Sequence, residues 1–436
     1  MSCEHETGIQ PTTFGVLRLP RTIVVGAQQR YAVAAIAADL GQNVLICTDP
    51  RLAASENLQE LVDSLEARKL TVRVYGDTQA ELPVPGIMAC IKELQGQTID
   101  VIIGFGGGSC MDMAKVVSVL LTHGGEPKDY YGEFAVPGPV TPVIALPTTA
   151  GTGSEATAVA VVSDPALGMK MGISSPYIIP YASVCDPELT YTCPPSLTAA
   201  TGADAFVHLV ESFTAVTRKP TSTLATERVF VGKNVLADSL ALNGIRLVGR
   251  SLVTAYNDPE NIDARADMML AALYGGITLS NAGTAAAHAI QYPVGNLTHT
   301  PHGVGVGLLL PYVVRHNFSA IMPQLAEISQ ALGCSIEGLS TREAAVAGID
   351  AIDEVLAAID IPATLEDLGL MESQLGQVAR LSLNSKRLIE NNPLPMDLNA
   401  ITSIVQAAFV GDRTIHCPQP RPAAATVPRT KKRILQ

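Results

Sequence analysis

Three of the chain's eight histidines fall within fifteen positions of one another, at His288, His299 and His302. An imidazole nitrogen is a good ligand for Fe²⁺, Zn²⁺ and other transition metals. Small residues before the first histidine predict a helix that Pro293 and Gly295 break, and a second apolar helix follows the third histidine. Histidines at the two edges of such a break can face one centre, whereas each of them taken singly could equally make a local hydrogen bond.

A carboxylate and a further imidazole share one predicted helix face earlier in the chain. Asp204 and His208 are four residues apart in an apolar segment, with Glu211 near the same face. Such groups are costly to bury unless something charged pairs with them, and a divalent cation does so. The alternative is a local Asp–His hydrogen bond. With His288 and His302, the pair makes one carboxylate and three imidazoles, a set that suits Fe²⁺, Zn²⁺ or Mn²⁺.

A glycine run stands between a strand-like and a helix-like segment. Residues 104–109 read GFGGGS and follow the predicted strand 100–103, which reads DVII. Backbone amides at such a helix start can approach a phosphate at the positive end of the helix dipole. The run is not a strict GxGxxG, because serine occupies the last glycine position, and it follows a later strand than the usual first one. The candidate phosphate-binding residues are Gly106, Gly107, Gly108, Ser109 and Asp112.

Asp49 ends the second predicted strand. A carboxylate at this place can accept hydrogen bonds from both hydroxyls of an adenosine ribose and would repel a 2′-phosphate, which favours NAD over NADP. A turn or helix-capping aspartate before Pro50 is an equally good interpretation of the residue alone.

A second polar segment, residues 147–155, separates two strand-like runs. Its hydroxyl groups and flexible backbone could contact phosphate or nicotinamide, although Thr/Gly loops are commonly structural. The candidate residues are Thr148, Thr149 and Ser154.

Composition limits the classes of protein to consider. The chain has 436 residues, 47% of them hydrophobic and 16% charged, with a net charge of −12. The acidic balance disfavours nucleic acid or an anionic membrane as a partner. Eight scattered cysteines without a CxxC pair indicate reduced thiols in a cytoplasmic protein. No apolar run has the length of a membrane span, and the first residues do not have the pattern of a secretory signal.

The pattern of predicted elements changes near residue 190. Strands and helices alternate before it, which predicts parallel βαβ units, with late strands at 141–146 and 156–162. Helices follow, including 222–240 and 244–256. We therefore predict an α/β nucleotide-binding domain with a parallel, Rossmann-like sheet and an all-α C-terminal domain. The predicted bounds are 1–189 for the first domain, 190–410 for the metal-binding domain and 411–436 for a loosely ordered tail.

Taken together, these segments resemble the iron-containing (group III) alcohol dehydrogenases of the dehydroquinate synthase-like superfamily. The chain carries GGGSxxDxAK at 106–115, PTTAGTGSE at 147–155 and ATGxDAxxH at 200–208. The histidine spacing matches as well, with HxxxxP at 288–293 and PHG at 301–303. Lys170, Leu189 and the pair Asn392-Pro393 also fall where the family has similar residues. The resemblance covers about residues 15–410.

The resemblance implies a cleft between two domains in which hydride passes between a small alcohol or aldehyde and NAD. It implies Fe²⁺, with Zn²⁺ possible, and a homo-oligomer such as a homodimer. The implied metal ligands are Asp204, His208, His288 and His302. The implied cofactor contacts are Asp49, the loop Gly106 to Ser109, Asp112, Thr148, Thr149, Ser154, Lys170 and Leu189.

The chain departs from many relatives at Tyr292. Relatives with HxxxHP have a histidine there that helps to move the alcohol proton, whereas an unperturbed phenol has a pKa near ~10 and is a poorer acceptor. Tyrosine here is similar to the hydroxyacid–oxoacid transhydrogenase branch, which points to a carboxylated or otherwise polar substrate. The alternative is that Tyr292 only packs against the cleft wall. We take Tyr292 and His302 as candidate catalytic residues.

Other functions stay open at this point. A transhydrogenase would keep its nicotinamide bound and pass hydride between a hydroxy acid and an oxo acid. A lyase related to dehydroquinate synthase fits the 147–155 loop and the histidine spacing less well. From another class, a catalytically silent binding or scaffold protein would need no metal, and the intact ligand set argues against it.

Overall fold

The computed structural model describes residues 13–415. The predicted tail therefore lies mostly outside the described residues. The chain first forms an α/β half and then a helical half, as the sequence predicts.

Six parallel strands form the main sheet, in the order β1-β9-β6-β4-β2-β3. They are β1 (Thr22–Val25), β2 (Asn43–Cys47), β3 (Thr71–Tyr75), β4 (Val101–Gly106), β6 (Val143–Pro147) and β9 (Ala182–Cys185). The central strands β4 and β6 are buried along their whole length, because helices cover both faces of the sheet. The helices of this half are α1 (Val33–Leu40), α2 (Pro50–Ala53), α3 (Glu56–Glu66), α4 (Val84–Glu93) and α5 (Gly108–His123).

A second, three-stranded sheet has the order β5-β8-β7. Its strands are β5 (Gly132–Glu133), β7 (Val159–Asp164) and β8 (Met169–Ser174). The predicted strand 156–162 therefore does not continue the parallel sheet; it begins later, as β7, and pairs antiparallel with β8. The sequence analysis missed β8 and β9, since neither is framed by a clear helix.

The helical half contains α6 (Pro195–Thr214), α7 (Leu224–Glu227), α8 (Val235–Asn257), α9 (Ile262–Ala282), α10 (Ala286–Thr298), α11 (His302–His316), α12 (Phe318–Ala331), α13 (Thr341–Ala357), α14 (Leu375–Ser382), α15 (Lys386–Asn391) and α16 (Leu398–Val410). The predicted helices 222–240 and 244–256 have the wrong boundaries. Only a short helix forms at α7, and α8 runs through Gly244, whose missing side chain leaves room for Leu209 of α6.

The predicted break at Pro293 and Gly295 is also misplaced. Helix α10 continues through both residues, and the chain turns earlier, at Gly283, where φ is +87°. Gly283 is the C-cap of α9 and adopts a backbone conformation that residues with a Cβ rarely take. His288 therefore lies in the first turn of α10 rather than at the end of a preceding helix.

Buried aliphatic side chains from α6, α8 to α13 and α16 make the largest apolar core, and two smaller cores cover the two faces of the main sheet. Within residues 13–415, no single helix is long and apolar enough to cross a membrane; α11 and α12 pass that test only as a pair, bent by 117°.

Candidate metal and nucleotide site

Helix α6 places three polar side chains in an apolar interior. Asp204, His208 and Glu211 lie on successive turns of this buried helix. Asp204 and His208 are adjacent through their side chains, with 3.3 Å between Asp204 Oδ1 and His208 Nε2. The i, i+4 spacing that the sequence shows therefore does bring the two groups together.

Two further imidazoles point at the same carboxylate oxygen. The Nε2 atoms of His288 and His302 lie 3.8 and 3.7 Å from Asp204 Oδ1. One ligand atom from each of these three residues lies within 4.8 Å of the other two. The rings of His208 and His288 stack with 5.0 Å between their centroids. Three imidazoles thus surround one carboxylate oxygen without hydrogen-bonding to it.

Glu211 fixes the orientation of His288. Its Oε2 accepts hydrogen bonds from His288 Nδ1 at 2.7 Å and from the backbone N–H of Ala285 at 2.8 Å, and its Oε1 accepts from Ala287 N at 2.7 Å. A carboxylate can only accept, so Nδ1 carries a proton, and Nε2 is the nitrogen that faces Asp204. Glu211 also caps the start of α10, which has no other side-chain cap. A metal-binding histidine normally has such a partner on its other nitrogen.

His302 reaches the cluster because α11 begins close against α6. A Cβ added at Gly303 would overlap the carbonyl oxygen of Ala200, so only glycine permits this approach. The first residue of α11 thereby comes within reach of Asp204, which lies one turn further along α6. His299 instead caps the C-terminus of α10 with φ +57° and lines an outer cavity.

The charge state and bonding of the cluster fit a divalent metal. Burial lowers the pKa of His208 to about 4 and that of His302 well below its ordinary value, so both rings are neutral and carry a lone pair. Among the described residues, Asp204 Oδ1 and His288 Nε2 are buried and have no hydrogen-bond partner. Buried polar atoms without partners are costly. A cation held by this group would satisfy them.

The glycine loop opens α5 as the sequence predicts. Gly106 ends β4 with φ +149°, and Gly107 is the N-cap of α5. A Cβ at Gly106 would lie 2.5 Å from Cys110 Sγ, and one at Gly108 would lie 2.7 Å from Thr152 Cγ2. The close approach leaves the first backbone amides of α5 free to bind an anion at the positive end of the helix.

A buried lysine and an aspartate hold the 147–155 loop beside the glycine loop. Ser154 Oγ donates to Asp112 Oδ1 at 2.6 Å and accepts from Lys115 Nζ at 2.9 Å. Asp112 Oδ2 accepts from Val161 N at 2.9 Å. Burial lowers the pKa of Lys115 to about 8. Asp112 and Ser154 are therefore engaged in joining α5 to β7 and the loop.

Two other predicted residues of this loop have freer side chains. Thr148 is buried with no described partner for its hydroxyl oxygen, and Thr149 lies beside the position where a side chain at Gly107 would be. Both therefore border the free amides of the glycine loop.

The 147–155 loop also touches α9 where two glycines meet. Gly153 has φ +64°, and a Cβ added at Gly276 would overlap the backbone of Gly153. We expect Gly276→Ala to lower the free energy of unfolding by about 1–3 kcal/mol, because backbone on both sides prevents relaxation. Urea unfolding measures this. Gly376→Ala, in the exposed face of α14, meets only the end of Arg380 and should be neutral or slightly stabilising; equal losses in the two variants would contradict the close contact.

Asp49 and Leu189 lie at the edge of the nucleotide side. Asp49 is the N-cap of α2, and its Oδ1 accepts from Arg51 N and Leu52 N, both at 2.9 Å. Asp49 therefore does cap a helix, as the alternative interpretation of this residue predicts. Its other oxygen, Oδ2, lies 3.9 Å from Cys110 Sγ near the glycine loop. Leu189 is buried against the core of the main sheet.

The glycine loop and the histidine cluster face one cavity of about 180 Å³, which we call the inner cavity. Its lining includes Gly108, Ser109 and Asp112 near the glycine loop, the four metal-ligand candidates, and Lys170 and Tyr292. A neighbouring cavity of about 540 Å³, the outer cavity that His299 lines, shares Lys170, Tyr292 and His302 with it. The outer cavity thus leads to the place where the nucleotide and metal sides meet.

Lys170 and Tyr292 face each other across this passage. Lys170 Nζ lies 5.9 Å from the Tyr292 ring centroid and forms an ion pair with Glu81. The Tyr292 ring centroid is 6.1 Å from that of His302. Burial raises the pKa of Tyr292, so the phenol stays protonated at neutral pH. Tyr292 can donate a hydrogen bond here, and it is a poor proton acceptor.

Sequence reasoning missed two residues of the site. Glu211 was noted only as lying near the face of Asp204 and His208; it is buried, and its carboxylate accepts a hydrogen bond from His288. Arg387 was not considered, and it lines the inner cavity beside Tyr292. The apolar neighbours of Glu211 signal its burial, whereas nothing in the local sequence marks Arg387.

Two family models together match most of the chain. The model of the iron-containing alcohol dehydrogenases matches residues 20–187, and the model of the C-terminal part of the Fe-containing alcohol dehydrogenase family matches residues 198–409. The chain is 34% identical to long-chain-alcohol dehydrogenase 1 of Geobacillus thermodenitrificans, over 85% of this chain and 90% of that protein.

Solved structures agree with these matches. A 1,3-propanediol oxidoreductase superposes with a TM-score of 0.85 at 30% identity, over 91% of this chain and all of that one. The sulfoacetaldehyde reductase of Bifidobacterium kashiwanohense, solved with NAD⁺, gives 0.78 at 28% identity, over 92% of this chain and all of that one. The chain belongs to the iron-containing alcohol dehydrogenase family.

Proposed function

We propose that this alcohol dehydrogenase binds one divalent metal, Fe²⁺ or Zn²⁺, through Asp204, His208, His288 and His302, and that NAD lies across the glycine loop. The observation that carries the proposal is the group of three imidazole Nε2 atoms around the buried, unpartnered Asp204 Oδ1. Neutral imidazole and carboxylate are suitable ligands for either metal. The cavity that joins the two sides supports hydride transfer within it.

The proposed cofactor site has its phosphate-binding part at Gly106 to Ser109, where the first amides of α5 are free. Asp49 accepts the adenosine ribose hydroxyls through Oδ2, while Oδ1 caps α2. The hydrogen bond between Asp112 and Ser154 holds the 147–155 loop against the start of α5. Thr148, Thr149, Lys170 and Leu189 complete the proposed contacts.

The chemistry divides between the bound groups and the chain. A divalent metal held here supplies Lewis acidity toward an alcohol or carbonyl oxygen. The protein orients the substrate carbon toward the nicotinamide within a cavity of about 180 Å³. Tyr292, protonated and beside His302, donates a hydrogen bond toward the reacting oxygen. His302 acts as a ligand that also borders the substrate passage.

Asp49→Gly tests the cofactor assignment. Removal of the carboxylate should raise the ratio of kcat/KM with NADP to kcat/KM with NAD, because the repulsion of a 2′-phosphate and the ribose hydrogen bonds are both lost. We expect at least about a tenfold change, on the scale of one charge-assisted hydrogen bond. Asp49→Asn keeps a helix-capping oxygen and controls for the loss of the α2 cap. An unchanged cofactor ratio in both variants would remove Asp49 from this role.

Tyr292 favours one second candidate, the transhydrogenase, since tyrosine at this place is similar to that branch. Stoichiometric conversion of free NAD to NADH during alcohol oxidation supports the dehydrogenase. Hydride exchange between a hydroxy acid and an oxo acid without release of NADH supports the transhydrogenase.

We also propose the domain bounds, the cellular location and the oligomeric state of the protein. The chain divides at residues 1–189 and 190–410, which the change from strands to helices after β9 supports. We place the protein in the cytoplasm, and the six described cysteines are all free thiols. A homodimer or larger homo-oligomer follows from the family resemblance, and light scattering in solution measures it.

A further inference from the structure

An arginine in the wall of the inner cavity has a buried nitrogen with no hydrogen-bonding partner among the described residues. Arg387, on α15, lines this cavity together with the metal-ligand candidates and Tyr292. Its Cζ lies 4.1 Å from the centroid of the Phe230 ring, which holds the guanidinium by a cation–π contact. Among the described residues, its buried Nη1 has no acceptor. A guanidinium is always charged in proteins, so a buried nitrogen of the group that has no acceptor is costly, even though the residue as a whole is partly exposed.

The two arginines that are buried among the described residues, Arg265 and Arg315, are satisfied by their surroundings. Arg265 donates to Thr198 Oγ1, Cys193 O and Pro259 O. Arg315 donates to both carboxylate oxygens of Asp353 and to two backbone carbonyls. These side chains have evident structural roles. Arg387 has none of these bonds, and its free donors face a cavity.

The acidic groups near Arg387 are already engaged elsewhere. The charges of Glu133 and Glu211 act on Arg387. However, Glu133 accepts a hydrogen bond from Val229 N, and Glu211 accepts from His288 and the start of α10. The phenol of Tyr292 also faces Arg387, but it is protonated and uncharged at neutral pH. No described carboxylate therefore pairs with the guanidinium.

Arg387 lines the same cavity as the four metal-ligand candidates and Tyr292. The cofactor's pyrophosphate has its own site at the start of α5, whereas the neighbours of Arg387 are Phe230, Tyr292 and the α10 end of the cluster. Lys170, a second cation, lies across Tyr292 with its Nζ 5.9 Å from the ring centroid. A substrate whose oxygen lies at the histidine cluster thus places its other end near Arg387.

We propose that Arg387 binds an oxyanion at the far end of the substrate, so that the enzyme acts on short aldehydes and alcohols that carry a carboxylate or sulfonate. The proposal rests on the function proposed above. A planar guanidinium forms paired hydrogen bonds with a carboxylate or sulfonate. The substrate would thus supply the acceptor that the described residues do not provide. Binding of the anion satisfies the buried donors and fixes the distance between the charged end and the reacting carbon.

The test compares charged and neutral aldehydes of similar length. We would measure kcat/KM with NADH for 4-oxobutanoate and sulfoacetaldehyde, and for butanal and propanal, in the metal-loaded wild type and in Arg387→Met. The wild type should prefer the anionic member of at least one pair. Arg387→Met should lower kcat/KM for that anion by about 10- to 100-fold, on the scale of a lost charge-assisted pair, and change the neutral aldehyde by less than about threefold.

Two further variants separate recognition from packing. Arg387→Lys keeps a charge without the fork and should retain part of the preference. Arg228→Gln removes a partly exposed arginine that pairs with Glu390 outside the cavity, and it should change neither substrate class. Equal losses for charged and neutral aldehydes in Arg387→Met would overturn the proposal, as would a wild type that has no preference for the anion.

A failure of the proposed function gives a different result. If the wild type reduces no aldehyde of either class, the dehydrogenase proposal fails, and calorimetric titration with 4-hydroxybutanoate then decides on the anion site. Binding by the wild type and not by Arg387→Met sustains the site. Absence of binding to the wild type overturns it.

Discussion

Asp204→Asn is expected to lose its metal and to lower kcat for alcohol oxidation by roughly a thousandfold or more, because several kcal/mol of charge stabilisation at the reacting oxygen disappear. Three imidazole Nε2 atoms converge on Asp204 Oδ1 at 3.3 to 3.8 Å. An amide keeps the size of the side chain and removes its charge. Metal content by mass spectrometry and steady-state kinetics with NAD measure the two effects.

A matched variant distinguishes the effect of removing Asp204 from the effect of removing an aspartate elsewhere in the protein. Asp267→Asn removes a carboxylate of α9 that pairs with Arg250 near the surface, away from the cavity. It should keep full metal content and at least about half of the activity, as is usual for surface ion pairs. An Asp204→Asn protein that retains both metal and activity would contradict the assigned ligand set.

Glu211→Gln is expected to weaken metal binding by about 10- to 100-fold, although Glu211 lies outside the ligand group itself. The amide nitrogen cannot accept the hydrogen bond that one carboxylate oxygen now receives, so His288 Nδ1 or the start of α10 loses a partner. The metal-free variant should also be less stable by about 1–3 kcal/mol for each buried donor left unpaired. Competition with a chelator of known affinity measures the first effect, and urea unfolding measures the second.

Glu343→Gln is the control for helix capping alone. Glu343 completes the capping box of α13 through Ser340 and is exposed. It should lower stability only slightly and leave metal affinity unchanged. If Glu211→Gln behaved in the same way, Glu211 would be a cap and not a residue that positions His288.

Local spacing was enough to predict part of the geometry of the candidate site. Asp204 and His208 share a helix face because four residues make about one turn, and the glycine loop follows a buried strand as its pattern predicts. The histidine distances from Asp204 depend instead on how α10 and α11 pack on α6. That packing uses glycines such as Gly303, whose role is visible only when Ala200 lies against it.

The errors also have physical reasons. Pro293 and Gly295 were expected to end a helix, yet neighbouring helices stabilise α10 through both, and Gly283 provides the turn instead. Tertiary packing commonly overrides such local preferences. Arg387 carries no local signal, since its importance arises from a cavity that Tyr292 also lines and from the ring of Phe230, both far away in the sequence.

Metal reconstitution tests the central claim most directly. The protein, purified without chelators, is analysed for metal, stripped with a chelator, and assayed for NADH formation from an alcohol panel before and after Fe²⁺ or Zn²⁺ is restored. We predict about one divalent ion per chain, loss of activity on stripping and its return with the metal. Unchanged activity in the stripped protein, or an absence of metal binding by the wild type, would contradict the metal site built around Asp204.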